Sequence, residues 1–168
     1  MAENITPAGS SIATKIFRYW LPVLFMIGVM YYASTDVFSG DNTRGIIERI
    51  VLWLRPQTSA RGMMKINYIV RKMAHFAEYA VLAGLLFRAF RADSIVGWRL
   101  RWAACSFTVA ASWALLDELH QSFTLTRGGS IYDSLLDSSG ALFMLIMIAL
   151  FTRRRSFHPN NADLFKKP

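Results

Sequence analysis

Four apolar stretches, Ile16 to Ala33, Tyr68 to Phe87, Trp102 to Leu116 and Ile131 to Phe151, alternate with charged segments along this chain. Each approaches the ~20 residues that a helix needs to cross a hydrocarbon layer of ~30 Å. The pattern predicts an all-α, polytopic membrane helix bundle with four transmembrane helices. Pro22, near the start of the first stretch, is tolerable in a membrane helix. Between the first two stretches, Ile46, Ile47, Ile50, Val51 and Leu54 share one helical face, and Arg44, Glu48, Arg49 and Arg55 are the polar positions. A segment of that length cannot span, so a short amphipathic helix in the membrane interface is expected at about 44–55, stopped by Pro56. The expected organisation is an N-terminal tail over 1–15, one membrane domain over 16–152 and a basic tail over 153–168. From Ser156 onward that tail reads as a solvated end.

Composition strengthens the membrane reading. The apolar fraction of 54% exceeds the ~45–50% usual for soluble domains, and the five Trp suit interfacial belts. A net charge of +8 raises the question of nucleic acid. The basic residues, however, flank the apolar runs instead of lining one polar face, so no nucleic-acid partner is expected. Lys15 and Arg18 precede an apolar run as in a signal peptide, but no clean small-x-small site follows and three similar stretches do. The first stretch is therefore read as a retained span. Cys105 is the single cysteine, so no internal disulfide can form.

Basic flanks set orientation. Lys15, Arg18, Arg88, Arg91, Arg99, Arg101, Arg153, Arg154, Arg155, Lys166 and Lys167 fall on one side. Arg44, Arg49, Arg55, Arg61, Lys65 and Arg127 fall on the other. The majority side is expected to be cytoplasmic, placing both termini there, in a plasma (inner) membrane. The minority-side arginines would meet lipid headgroups through the interfacial helix.

This topology gathers ionisable residues at one membrane level. The first stretch ends at Ser34 and Asp36, the second enters through Arg71, Lys72, His75 and Glu78, the third ends at Asp117, Glu118, His120 and Gln121, and the fourth begins with Asp133 and Asp137. Arg127 lies in the loop between the last two. Lys72, His75 and Tyr79 share a helical face, Glu78 adjoins His75 at i+3, Asp117 pairs with Gln121 at i+4, and Asp133 with Asp137 at i+4. Ionisable groups at membrane depth cost several kcal/mol, about 2.5 to 3.5 on insertion scales, unless they face one another or a cavity, so they are candidates for function. Plainer roles compete. Ser130 and Asp133 form a capping-box pattern after Gly128-Gly129. Arg71 suits snorkelling to headgroups, Asp36 and His120 suit a wet helix end, and His75 with Glu78 suits a pair that pins helices together. Asp117, Glu118 and Asp137 require a cation, and Lys72, His75 and Arg127 are available.

The segment Arg71-Lys-Met-Ala-His-Phe-Ala-Glu-Tyr79 and the segment Asp117-Glu-Leu-His-Gln121, followed by Arg127, Asp133 and Gly140, resemble the VanZ-like family, named for a teicoplanin-resistance protein. Ser34 fits the same pattern. The resemblance runs from about Ser34 to Gly140, with Ser138 and Ser139 where Asn before the glycine is more familiar. It implies a compact multi-span membrane domain and, for the namesake, reduced susceptibility to a lipoglycopeptide acting outside the cell. It supplies no established reaction.

Three functional readings follow. In the first, the protein binds or modifies a lipid-linked or anionic cell-envelope molecule at the outer leaflet. Lys72 and Arg127 would hold phosphate or carboxylate, with Glu78, Asp117, Gln121, Asp133 and Asp137 completing the ligand-binding set, and His75 with Glu118 as candidate acid/base pair. Its partners would be membrane lipids or a lipid-linked envelope precursor. In the second, the charges satisfy each other in a non-catalytic structural or assembly module. In the third, His75, Glu78, Glu118 and Asp137 ligate a metal in a membrane enzyme, although no HExxH or comparable spacing is present and no cofactor is expected. Four spans are few for a pore or carrier unless subunits associate, and the pattern leaves oligomerisation open.

Overall fold

A computed structural model describes residues 11–34, 40–123 and 130–156, the side chains of 40–44 and 154–156 excepted. The described residues are helical throughout apart from short turns. We number the helices α1 (Ile12–Ala33), α2 (Gly40–Leu54), α3 (Ala60–Arg91), α4 (Leu100–Ser122) and α5 (Ile131–Ser156). Asp36, Arg127 and residues 1–10 and 157–168 lie outside the described residues, while 12–15 and 153–156, counted with the tails above, belong to α1 and α5.

Three helices among the described residues, α1, α3 and α5, are long and apolar enough to cross a membrane. This protein is therefore a membrane protein. The expected fourth, α4, has the length, at 23 residues, but not the apolarity, because Ser106, Thr108, Ser112, Asp117 and Glu118 interrupt it. The expected start of the second span at Tyr68 is too late: the helix begins at Ala60, where the Ser59 hydroxyl accepts the Gly62 N–H and caps it. Arg61, Lys65 and Asn67 read as connection by their polarity, yet they continue the helix. At 32 residues and 1.5 Å each, α3 is about 48 Å long and overhangs a hydrocarbon layer. It ends at Ala92, whose φ of 46° no further helical turn tolerates.

A helix, α2, covers the stretch expected to be amphipathic, starting earlier than expected and closing before Pro56. Ile46, Ile50, Trp53 and Leu54 on it are exposed.

Within α1, residues Ile16–Trp20 form a π-helical turn just before Pro22. Pro22 has no N–H to offer Arg18, four residues back, and its ring crowds that carbonyl. The Arg88 guanidinium donates to the freed Arg18 carbonyl at 3.4 Å.

Helix α1 buries one seam, Tyr19, Val23, Met30 and Ser34, and leaves Phe17, Leu24 and Phe25 outward. Helix α4 buries Ala103, Ser106, Ala110, Ala114, Asp117 and Gln121 at three- and four-residue spacing. The core includes small residues (Ala83, Ala89, Ala103, Ala110, Ala114 and Ala141), the composition that lets membrane helices approach closely. Helices α3 and α5 approach closely, and a Cβ on Gly140 would overlap the Phe76 carbonyl. That contact fixes the register. The two helices run in the same direction, with Lys72 level with Asp133 and His75 level with Asp137. Helices α1 and α4 run the opposite way: Ser34 meets Asp117 at one end, while Tyr19 meets Asp93 and Trp102 meets Phe87 at the other.

Candidate functional site

The register of α3 against α5 brings polar residues together at one end of the bundle. Lys72 pairs with Asp133, and its ammonium also lies 5.3 Å from the centre of the Tyr68 ring. The capping role expected of Asp133 is not what it takes up. The Ser130 N–H, which a capping box assigns to the acidic residue three positions on, donates to Glu118 Oε2 at 2.8 Å. A carboxylate from α4 thus supports the start of α5, and Asp133 is left to Lys72.

Asp117 is held by two donors. The Ser34 hydroxyl donates to Oδ1, and the Gln121 amide donates to Oδ2 at 3.1 Å and to the Ser34 oxygen at 3.3 Å. The i+4 pairing of Asp117 with Gln121 was legible in helical spacing, whereas the part played by Ser34 depends on α1 and α4 running in the same direction, so that their C-terminal ends meet.

Asp137 is different. It is 1% exposed, and among the described residues neither carboxylate oxygen has a hydrogen-bond partner. His75 Nδ1 stands 3.7 Å from its Oδ2, beyond hydrogen-bond reach. Tyr79, completely buried one turn after His75, also has an unpartnered hydroxyl among the described residues. His75, Asp117 and Asp137 each bring one donor atom to within 4.8 Å of the other two.

The sequence-predicted residues therefore divide. Lys72, His75, Asp117, Gln121, Asp133 and Asp137 converge through contacts between helices. Glu118 faces Ser130, so the geometry favours Asp137 over Glu118 as the group beside His75. Glu78 is half-buried on α3, and of the set His75, Glu78, Glu118 and Asp137 only His75 and Asp137 belong to the group of donor atoms within 4.8 Å of one another, which Asp117 completes. His120 packs against Tyr31, with ring centres 5.1 Å apart, at the edge of this end.

A second feature lies beyond Lys72 on the overhang of α3. Arg55, Gln57, Thr58, Ser59, Gly62, Lys65 and Ile66 line an open groove of about 780 Å³ at the elbow between α2 and α3. Sequence reasoning placed Arg55 at lipid headgroups and counted Lys65 only among the basic flanks, and had no signal for a groove, which requires the turn at Pro56.

A family model described as VanZ/LLP1 matches residues 19–152. The chain belongs to the VanZ/LLP1 family. The match runs through all five helices, so the VanZ/LLP1 domain contains both the polar end and the elbow groove. No curated protein and no solved structure matches the chain. The link from VanZ/LLP1 to teicoplanin resistance is one of family name.

Proposed function

We infer that this VanZ/LLP1 protein binds a lipid-linked or otherwise anionic cell-envelope molecule at the outer leaflet of the plasma (inner) membrane. The observation that carries the reading is the basic elbow groove, with Arg55 and Lys65 beside the Thr58 and Ser59 hydroxyls, on the same end as the buried polar cluster. Lys65 precedes Lys72 by two helical turns, about 10 Å along the axis. Cations and hydroxyls suit phosphate, and the exposed apolar face of α2 suits the interface beside it. Lys72, paired with Asp133, stands between that groove and His75 along α3.

In this arrangement α4 crosses the membrane as the fourth span. Its two ends are matched to the ends of α1 and α3, through Asp117 with Ser34 and Trp102 with Phe87, so it covers the same depth. The basic flanks put both termini in the cytoplasm. In a Cys105→Ala background, Thr126→Cys should react with an impermeant reagent in intact cells and Ser94→Cys should not. The reverse pattern inverts the orientation.

The lipid reading is tested by purifying the full chain in mild detergent and identifying co-purifying lipids by mass spectrometry. An anionic lipid should be retained by the wild type and fall about tenfold or more in Arg55→Gln/Lys65→Gln and in Arg127→Ala. Equal retention in all three sinks it. A structural module is the second reading, favoured by the mutual satisfaction of Lys72 with Asp133 and of Asp117 with Ser34 and Gln121. Asp137, buried and without a hydrogen bond among the described residues, does not fit that reading.

A further inference from the structure

A buried carboxylate is expected to be paired, hydrogen-bonded or bound to a metal, because an isolated charge removed from water is strongly disfavoured. Asp137 has neither of the first two arrangements in full. His75 Nδ1 at 3.7 Å is too far to donate to it. The same distance has another meaning. Two donor atoms bound to one ion at about 2.1 Å each, at a tetrahedral angle, stand about 3.4 Å apart.

We propose that His75, Asp117 and Asp137 hold one divalent transition-metal ion of the zinc or manganese class between α3, α4 and α5. The three donor atoms lie within 4.8 Å of one another, so closing on an ion requires side-chain movements of less than about 1 Å. Charge favours it as well: two carboxylates and a neutral imidazole balance a doubly charged cation, whereas a lone imidazolium leaves one buried carboxylate uncompensated. One nitrogen and two oxygens suit zinc or manganese better than calcium or magnesium, which prefer all-oxygen shells, or copper(I), which prefers sulfur.

The surroundings of Asp117 fit a ligand. Each of its oxygens accepts one hydrogen bond, from Ser34 or Gln121, and keeps a further lone pair for an ion. Such outer hydrogen bonds orient ligating carboxylates and fix their geometry. Ser34 and Gln121 are thus positioning residues. Three protein ligands also leave a coordination position free for water or substrate. The capping of α5 by Glu118 and the pairing of Lys72 with Asp133 leave both those acidic groups outside the set.

The test uses the full chain, purified in detergent, stripped with chelator and titrated with Zn²⁺ or Mn²⁺ alone. The wild type should take up about one ion per chain and melt at a higher temperature when loaded. X-ray absorption of the loaded wild type should show nitrogen and oxygen at about 2.0–2.2 Å with imidazole scattering, a readout independent of any variant's folding. Asp137→Asn and His75→Gln should weaken uptake by about 100-fold or more, and Ser34→Ala by about tenfold. Glu48→Gln, on the exposed face of α2, should bind as the wild type does. Failure of the wild type to bind either ion, binding that survives Asp137→Asn, or sulfur in the first shell each overturns the proposal. None of these outcomes bears on lipid retention by Arg55 and Lys65, which are not ligands.

Discussion

At the end of the bundle that carries Lys15, Tyr19, Arg88 and Asp93, the charges are wet and partnered. Asp93 accepts from the Tyr19 hydroxyl and pairs with Lys15 at 3.3 Å, both side chains being close to half exposed. Arg18 and Arg88 both lie over the Tyr19 ring. At the other end Asp117 and Asp137 are buried, and Asp137 stands without a hydrogen bond among the described residues. The two ends hold similar residue types, so composition does not separate a site from a latch. Solvent access and satisfaction do. A carboxylate in water needs no explanation, whereas a buried and unsatisfied one asks for a missing partner.

The largest expected effect comes from removing the contact that creates the second end. Gly140→Leu drives a side chain into the Phe76 carbonyl and should cost more than about 3 kcal/mol, read as loss of monodisperse protein and a collapsed melting temperature in detergent. A variant that melts normally would mean that α3 and α5 do not depend on this approach. Next is Asp137→Asn in metal-free protein. It removes a buried carboxylate that accepts no hydrogen bond among the described residues and has His75 at 3.7 Å, so stability should rise by about 1 to 3 kcal/mol while metal uptake is lost. A fall in stability would show that Asp137 is already satisfied and would erase the contrast between the ends. Lys72→Met leaves Asp133 unpaired but partly solvated, and a loss of about 1 kcal/mol is expected by the same melting measurement.

Smallest is the response at the wet end. The hydrogen bond from Tyr19, followed by that from Lys15, holds the Asp93 carboxyl below its usual range. A group lowered on folding contributes above its unfolded pKa, about 3.9, and that contribution fades as pH falls through the lower folded value. Asp93→Asn should therefore give a melting profile parallel to wild type from about pH 5 to 8 and converge with it only in stronger acid. A difference that changes between pH 5 and 8 would place another titrating group in the latch.

Much of this was legible in the order of apolar and polar residues. Helical spacing alone joined Asp117 to Gln121 and set Lys72 and His75 on one face, and alternating direction put them at one level with Asp137. What the sequence could not reveal was contact between distant segments. Asp133 looked like a cap because Ser130 precedes it by three. The competing carboxylate, Glu118, comes from another helix, and local pattern carries no trace of it. Glu78 adjoins His75 by spacing, but the donor atoms that gather within 4.8 Å of one another are those of His75, Asp117 and Asp137, which come from three helices. The early turns of α3 were missed because polarity in Arg61 to Asn67 resembles a connection, while the Ser59 cap and the buried Met63 make it helix.

The glycine at 140 has a mechanical consequence. Where two backbones touch, there is no flexible side chain between them to absorb a displacement, so α3 and α5 behave as one stiff member carrying His75 and Asp137 at a set spacing. Asp117 arrives from α4, through hydrogen bonds to Ser34 and Gln121 that can lengthen or re-form. Any adjustment to an occupant of different size must then come from the α4 side, as in a vice with one fixed jaw and one that travels.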